Sequence, residues 1–297
     1  MSLIHETARN VVSKLKSGEV SRDEVLDQLE ARHAEVDGKV NALPTTCFER
    51  ARKAEAGADT MLAGLPVAIK DLSAVQGVRT TYGSPIFAEY VPEASDNVVE
   101  IIETNGGTVY AKSNTPEFGA GASTFNEVFG RTHNPWNLAR SAAGSSGGSA
   151  AALVSGQAWL AHGSDMGGSL RNPASFCGCV GLRPSAARVP SGPSPNDFEV
   201  LGQQGPMARN VADLGLFLDA MSGPNASEPF SQPDNSGFRA AAEAPRIPKR
   251  VAWSADFDGL TPVDPVVREV TEAAARRFES LGAIVEEVCP DYSGAHD

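Results

Sequence analysis

A chain of 297 residues, 41% hydrophobic and 21% charged, can bury a sizeable core and is too apolar for wholesale disorder. Its 37 acidic residues against 25 basic ones give a formal charge of −12, without the concentrated basic face that direct nucleic-acid binding needs. Four scattered cysteines, Cys47, Cys177, Cys179 and Cys289, fit reduced thiols in a cytoplasm; Cys177-Gly178-Cys179 has no second pair to complete a site, so no metal is expected. The segment MSLIHETARNVVSKLKSGEV mixes charge and apolar residues too evenly for a secretory signal, and no apolar run is long enough to cross a bilayer. A cytoplasmic protein with no membrane partner is the expectation.

Ala8, Val11, Val12 and Leu15 repeat at helical spacing, and Ser21-x-x-Glu24 opens a second helix as a capping box, with Val25, Leu26 and Leu29 on its apolar side. Pro66–Lys70 reads as a short buried strand. Ser95–Asn105 reads as a capped helix ended by Gly106-Gly107, with a strand over Thr108–Ala111. A helix over Ser149–Ser155 and a strand over Gln157–His162 follow. Val251–Trp253, a helix near Pro265–Leu281 and Ile284–Val288 make a further strand–helix–strand unit. Alternation of this kind predicts an α/β fold with a largely parallel or mixed sheet. Pro190–Pro195 and Ser222–Ala244 read as loops, the second as a surface excursion inside one domain rather than a linker. Trp136 and Trp159 are expected in the core.

Residues 141–169 hold seven glycines and seven serines. A linker could share that composition, but the enclosed AAALVSGQAWLAH must pack. Two glycine clusters, Gly144–Gly148 and Gly163–Gly168, therefore fall at the ends of packed elements, where backbone N–H groups can converge on a ligand. A phosphate-binding loop is excluded because Ser149 and Ala150 follow Gly148 where Lys and Ser/Thr are required. Gly144-Ser145-Ser146-Gly147-Gly148 satisfies the G-x-S-x-G of a nucleophile elbow. Yet His133–Ala143 before it is polar rather than a buried strand, and the downstream histidines, His162 and His296, are badly placed for a triad. The third chemistry is a serine nucleophile served by an amine whose pKa burial lowers towards neutrality. Lys70, ending the apolar run Gly64–Ile69, suits it; read alone, the same lysine is a surface residue paired with Asp71.

AGLPVAIKD, SAAGSSGGSAAA and GSDMGGSLRNPASFCG, with KSNTPEFG, NPWNLARS and GLRPS in order, together resemble the amidase signature family from the N-terminal helices to at least Met221. The family uses a Ser–cis-Ser–Lys triad. The resemblance carries the lysine to Lys70, the cis serine to Ser145, and the nucleophile to Ser169, which lies 24 residues after Ser145 as in the family pattern. It implies a mixed central β-sheet flanked by helices, with no metal or organic cofactor. Ala143 stands where many relatives have glycine.

The implied reaction is hydrolysis of a small-molecule carboxylic amide through a Ser169 acyl-enzyme. Neutral Lys70 takes the proton through the Ser145 hydroxyl, and the backbone N–H groups of Met166, Gly167, Gly168 and Ser169 receive the oxyanion. Ser146 is placed either on the relay or in a turn; Asp165 and Arg171 are expected to hold the loops, and Cys177 to pack in the core. Two alternatives stay open. One is the glutamine-hydrolysing A subunit of a tRNA-dependent amidotransferase, with partner subunits in place of a homodimer. The other is a truncated, inert chain, because family members are longer. Residues 1–297 then read as a single amidase domain lacking the family's usual C-terminal portion.

Overall fold

The computed structural model describes residues 2–55, 57–194, 196, 198–232, 237–292 and 294. The chain divides into two compact units, Met1–Glu243 and Ala244–Asp297. In the first, helical apolar spacing acts as expected: α1 (Ala8–Ser17) buries Ala8, Val11, Val12 and Leu15. Helix α2 (Arg22–Val40) opens on the reciprocal box, with Ser21 Oγ accepting from the Glu24 N–H at 3.2 Å and Glu24 accepting from the Ser21 N–H at 2.7 Å. After α3 (Phe48–Lys53), α4 (Asn97–Thr104) lies within the expected Ser95–Asn105. The remaining helices of this unit are α5 (Gly147–Val154), α6 (Arg171–Cys177), α7 (Val211–Met221) and α8 (Phe238–Glu243).

The strands of the first unit are β1 (Thr45–Thr46), β2 (Pro66–Lys70), β3 (Thr108–Ser113), the hairpin β4 (Phe125–Asn126) and β5 (Gly130–Arg131), the hairpin β6 (His133–Asn134) and β7 (Asn137–Ser141), β8 (Leu160–Asp165), β9 (Val180–Gly181) and β10 (Gln203–Ala208). One six-stranded sheet runs in the order β1-β3-β2-β8-β10-β9. It is mixed: β2 is parallel to β3 and β8, whereas β10 is antiparallel to β8 and β9. Every residue of β2 and β3 is buried, the polar Lys70, Thr108, Lys112 and Ser113 included. Helix α5 packs on β2, β3, β8 and β10, and α7 on β8, β9 and β10. Gly148 lets α5 sit this low: a Cβ there would fall 2.3 Å from the Asn114 nitrogen. The parallel strands carry Lys70, Ser113 and Asp165 at their carboxyl ends, the edge where open α/β sheets place their ligands.

Several expectations need correction. Residues 133–141 form the two-stranded β6–β7 hairpin, although β7 is exposed at four of its five positions and so is no buried elbow strand. The expected loop Ser222–Ala244 contains α8. Its first amides, those of Gly237, Phe238 and Arg239, donate to the Asp219 carboxylate of α7 at 2.9, 2.9 and 3.0 Å. Trp136 is 73% exposed, its indole N–H donated to the Cys177 carbonyl at 2.6 Å. Trp159 and Cys177 are buried as expected.

The second unit has β11 (Arg250–Trp253), α9 (Pro265–Ser280) and β12 (Ile284–Glu287), with β11 parallel to β12 and Arg250 opposite Ile284. The strand–helix–strand reading thus holds. His296, Pro195 of the first expected loop and residues 233–236 of the second lie outside the described residues. Among the described residues, no helix is long and apolar enough to cross a membrane.

Candidate active site

Lys70 closes β2 fully buried, and its neighbours are hydroxyls. Nζ lies 2.7 Å from Ser145 Oγ and 3.0 Å from Ser164 Oγ. Burial pushes the amine down to about 7, while the Asp165 charge pulls the other way. The surface alternative for Lys70 is overturned: Asp71 pairs instead with Lys112, at 3.2 Å. The Lys70 backbone N–H meets His162 Nδ1 at 3.4 Å, and His162 Nε2 meets Gln204 Oε1 at 2.8 Å. Burial drives His162 down to about 3, so the imidazole is neutral at physiological pH and acts as a spacer between strands.

Ser145 sits in the turn that feeds α5, after a cis Gly144–Ser145 peptide bond. Ala143 before it has φ 57°, the left-handed region where glycine is at ease. It is held there by its N–H to Ser141 Oγ at 3.0 Å, and by its carbonyl, which accepts from the Thr124 N–H at 3.1 Å and Thr124 Oγ1 at 2.9 Å. Ser146 ties three segments together. Its N–H donates to the Ser169 carbonyl at 3.2 Å, and its hydroxyl donates to the Ser164 carbonyl at 3.2 Å. Its hydroxyl is therefore spent on β8 and not on Lys70 or Ser145.

Ser169 lies in the turn between β8 and α6, half-buried. Among the described residues its hydroxyl makes no hydrogen bond, and its carbonyl is the anchor to Ser146. The turn is organised by Asp165, which accepts from the Gly168 N–H at 2.8 Å, the Leu170 N–H at 3.1 Å and Arg171 at 2.9 and 3.0 Å. Arg183 approaches the same carboxylate at 3.4 Å and donates to the Asp165 carbonyl. Burial alone would raise the Asp165 carboxyl. The Arg171, Leu170 and Gly168 hydrogen bonds outweigh it and hold the group well below the usual carboxylate range.

This geometry divides the four expected oxyanion donors. The Gly168 N–H is already given to Asp165, so it is not a free donor. Among the described residues, nothing accepts from the N–H of Met166, Gly167 or Ser169. Met166 is 64% exposed. No group of three or more His, Cys, Asp or Glu side chains among the described residues could hold a metal.

Sequence reasoning does not reach Ser164, Lys112 or the His162–Gln204 pair. The signal for Ser164 is its position on the parallel strand beside Lys70. Ending that strand at His162, three residues early, hides it.

The site combines a buried amine, a hydroxyl in contact with it and an unpartnered serine hydroxyl on a glycine turn. Comparison with known proteins identifies the family. The Amidase family model matches residues 23–295. The chain belongs to this family. It is 36% identical to an acylamidase of Rhodococcus erythropolis over 296 residues, covering 96% of this chain and 62% of that protein. It is 38% identical to the A subunit of the glutamyl-tRNA(Gln) amidotransferase of Halothermothrix orenii, covering 97% of this chain and 61% of that one. The structure superposes on 6-aminohexanoate cyclic dimer hydrolase, solved with its substrate, with TM-score 0.88 and 31% identity, over 96% of this chain and 61% of that chain. The chain thus spans about three fifths of the length of these relatives.

Proposed function

We propose that this chain carries the catalytic apparatus of an amidase, with Ser169 as nucleophile, Ser145 as relay and Lys70 as base. The observation that carries this reading is the buried Lys70 amine, brought to about 7 by burial and 2.7 Å from the Ser145 hydroxyl. Near neutral pH much of it is unprotonated and can accept the Ser145 proton. Ser145 in turn accepts the proton of Ser169 as Ser169 Oγ bonds to the carbonyl carbon. The tetrahedral oxyanion takes the free N–H groups of Met166, Gly167 and Ser169, and loss of one such donor removes roughly 3–4 kcal/mol of transition-state stabilisation. The proton returns through Ser145 to the leaving amine as the C–N bond breaks. Water then cleaves the ester and regenerates Ser169.

Asp165 serves the nucleophile turn and Arg171 serves Asp165. The Amidase match runs through both compact units, which supports reading residues 1–297 as one amidase domain. The substrate is a small carboxylic amide. The similarity to the A subunits of amidotransferases favours a second reading, glutamine hydrolysis within a multi-subunit complex. Co-purification with partner proteins would favour it, and a homodimer hydrolysing simple amides would favour the first.

The test is a fluorophosphonate probe with adduct mapping by peptide mass spectrometry. Ser169 should carry the adduct, and Lys70→Ala should slow labelling by about 100-fold or more. A folded chain that is not labelled, or a Lys70→Ala variant labelled at the parent rate, would overturn the assignment.

A further inference from the structure

The reaction leaves a second fully buried lysine without a task. Lys112 lies one strand away from the base: in the parallel β2–β3 pairing, Ile69 is opposite Lys112 and Lys70 opposite Ser113. Strand alternation turns Lys112 to the face opposite Ser113, whose hydroxyl meets Ser149 of α5 at 2.7 Å. The environments of the two lysines differ in kind. Among the described residues the Lys70 amine donates to hydroxyls, whereas the Lys112 amine donates to the Ser73 carbonyl at 2.6 Å and Thr80 Oγ1 at 2.8 Å and stands in an ion pair with Asp71 at 3.2 Å. Burial lowers the Lys112 pKa while the Asp71 charge opposes it, and the amine is anchored to Asp71, Ser73 and Thr80 of one segment.

From Lys112 a continuous set of contacts leads to Ser145. Asp71 accepts from the Thr81 N–H at 3.0 Å and the Thr81 hydroxyl at 2.6 Å, and Thr81 Oγ1 accepts from the Gly83 N–H at 3.0 Å. Gly83 lies so close to the Thr115 and Pro116 backbone that a Cβ would stand 3.0 Å from it. Beyond it the Tyr82 carbonyl accepts from the Phe118 N–H at 2.7 Å, and Ser84 Oγ donates to Glu117 at 2.7 Å. Next comes Gly119, at φ 71°, where a Cβ would be 2.6 Å from Leu72 Cδ1 and 3.5 Å from Ser145 Oγ. Lys112 therefore grips the start and the end of the segment that carries Leu72, and that segment grips the wall beside the relay hydroxyl.

We propose that Lys112 and Asp71 are positioning residues: their buried ion pair clamps residues 71–84 to the sheet and so holds Leu72 and Gly119 as the wall that fixes Ser145 in reach of Lys70. The inference rests on the reading of Ser145 as relay. It predicts an effect on the reactive step and not on probe binding, because neither residue touches the probe.

The experiment measures kinact and KI for fluorophosphonate labelling of Ser169, with amide hydrogen exchange across residues 71–84 and 115–119. The double variant Asp71→Asn, Lys112→Met removes both charges and leaves no unpaired ion to unfold the chain. It should melt cooperatively and show kinact lowered about 10- to 100-fold, with KI unchanged and faster exchange at Gly83 and Phe118. Should the double variant fail to fold, Thr80→Val removes one Lys112 partner in isolation and should show the same pattern, weaker. A folded variant with parental kinact and parental protection overturns the proposal. A parent chain not labelled at Ser169 refutes the relay reading instead, and the exchange data then judge the clamp alone.

Discussion

Burial of Lys70 has a stability consequence whose sign can be worked out. Its folded pKa, about 7, lies below the ordinary 10.5, so between these values the unfolded chain holds a proton that the folded chain has released. Stability attributable to Lys70 therefore rises with pH across that window and is lowest below it. Lys70→Met should be roughly 1–3 kcal/mol more stable than the parent near pH 7 by denaturant midpoint, with the advantage shrinking towards pH 10.5. An advantage independent of pH would show that the lysine is not buried as an amine. In the parent, Ser169 labelling should rise about tenfold per pH unit below the Lys70 pKa and level off above it. Lys70, Ser145 and Ser169 can be singled out because their motifs fall together in order. Read alone, Lys70 points to Asp71, since sequence does not show that Lys112 takes that carboxylate.

Elements with local signals are legible in the sequence and those set by distant partners are not. Helices α1 and α2 carry their own caps and spacing, and β2 is an apolar run with its boundaries in place. Strand β8 runs past its apparent end at His162 although Gly163, Ser164 and Asp165 have weak strand preference. Antiparallel pairing with Gln203–Gly205 overrides it. Helix α8 escapes a local reading because its cap, Asp219, lies on α7, 18 residues before the first amide it receives. Asp219→Ala should cost α8 about 1–2 kcal/mol of local stability. Amide exchange should then accelerate over residues 238–243 and stay parental in the central sheet; uniform acceleration would mean that Asp219 supports the whole first unit.

At the scale of the chain, the two units differ in how much they bury. The core cluster lies in the first unit, whereas the second contributes Ala275 and Ala283 as its buried apolar residues among those described. Val266, Val267, Val270 and Ile284 are exposed there. Amides of residues 250–287 should exchange far faster than those of β2, β3 and β8, and equal protection would contradict this division. The mixed sheet is predictable from alternating strands and helices; this difference in burial is not, because α9 carries the same periodic pattern as a buried helix. The distribution of sulfur bears on chemical durability. Cys47, Cys177 and Cys179 are held as thiols by burial, their pKa values pushed up to about 11, 12 and 12, which leaves almost no thiolate for peroxide to attack. The residues assigned to the reaction offer hydroxyls and an amine, which mild oxidants spare. Beside them the oxidisable atom is the thioether of Met166, exposed on the turn of the nucleophile, where conversion to the sulfoxide would put a polar group beside a proposed oxyanion donor.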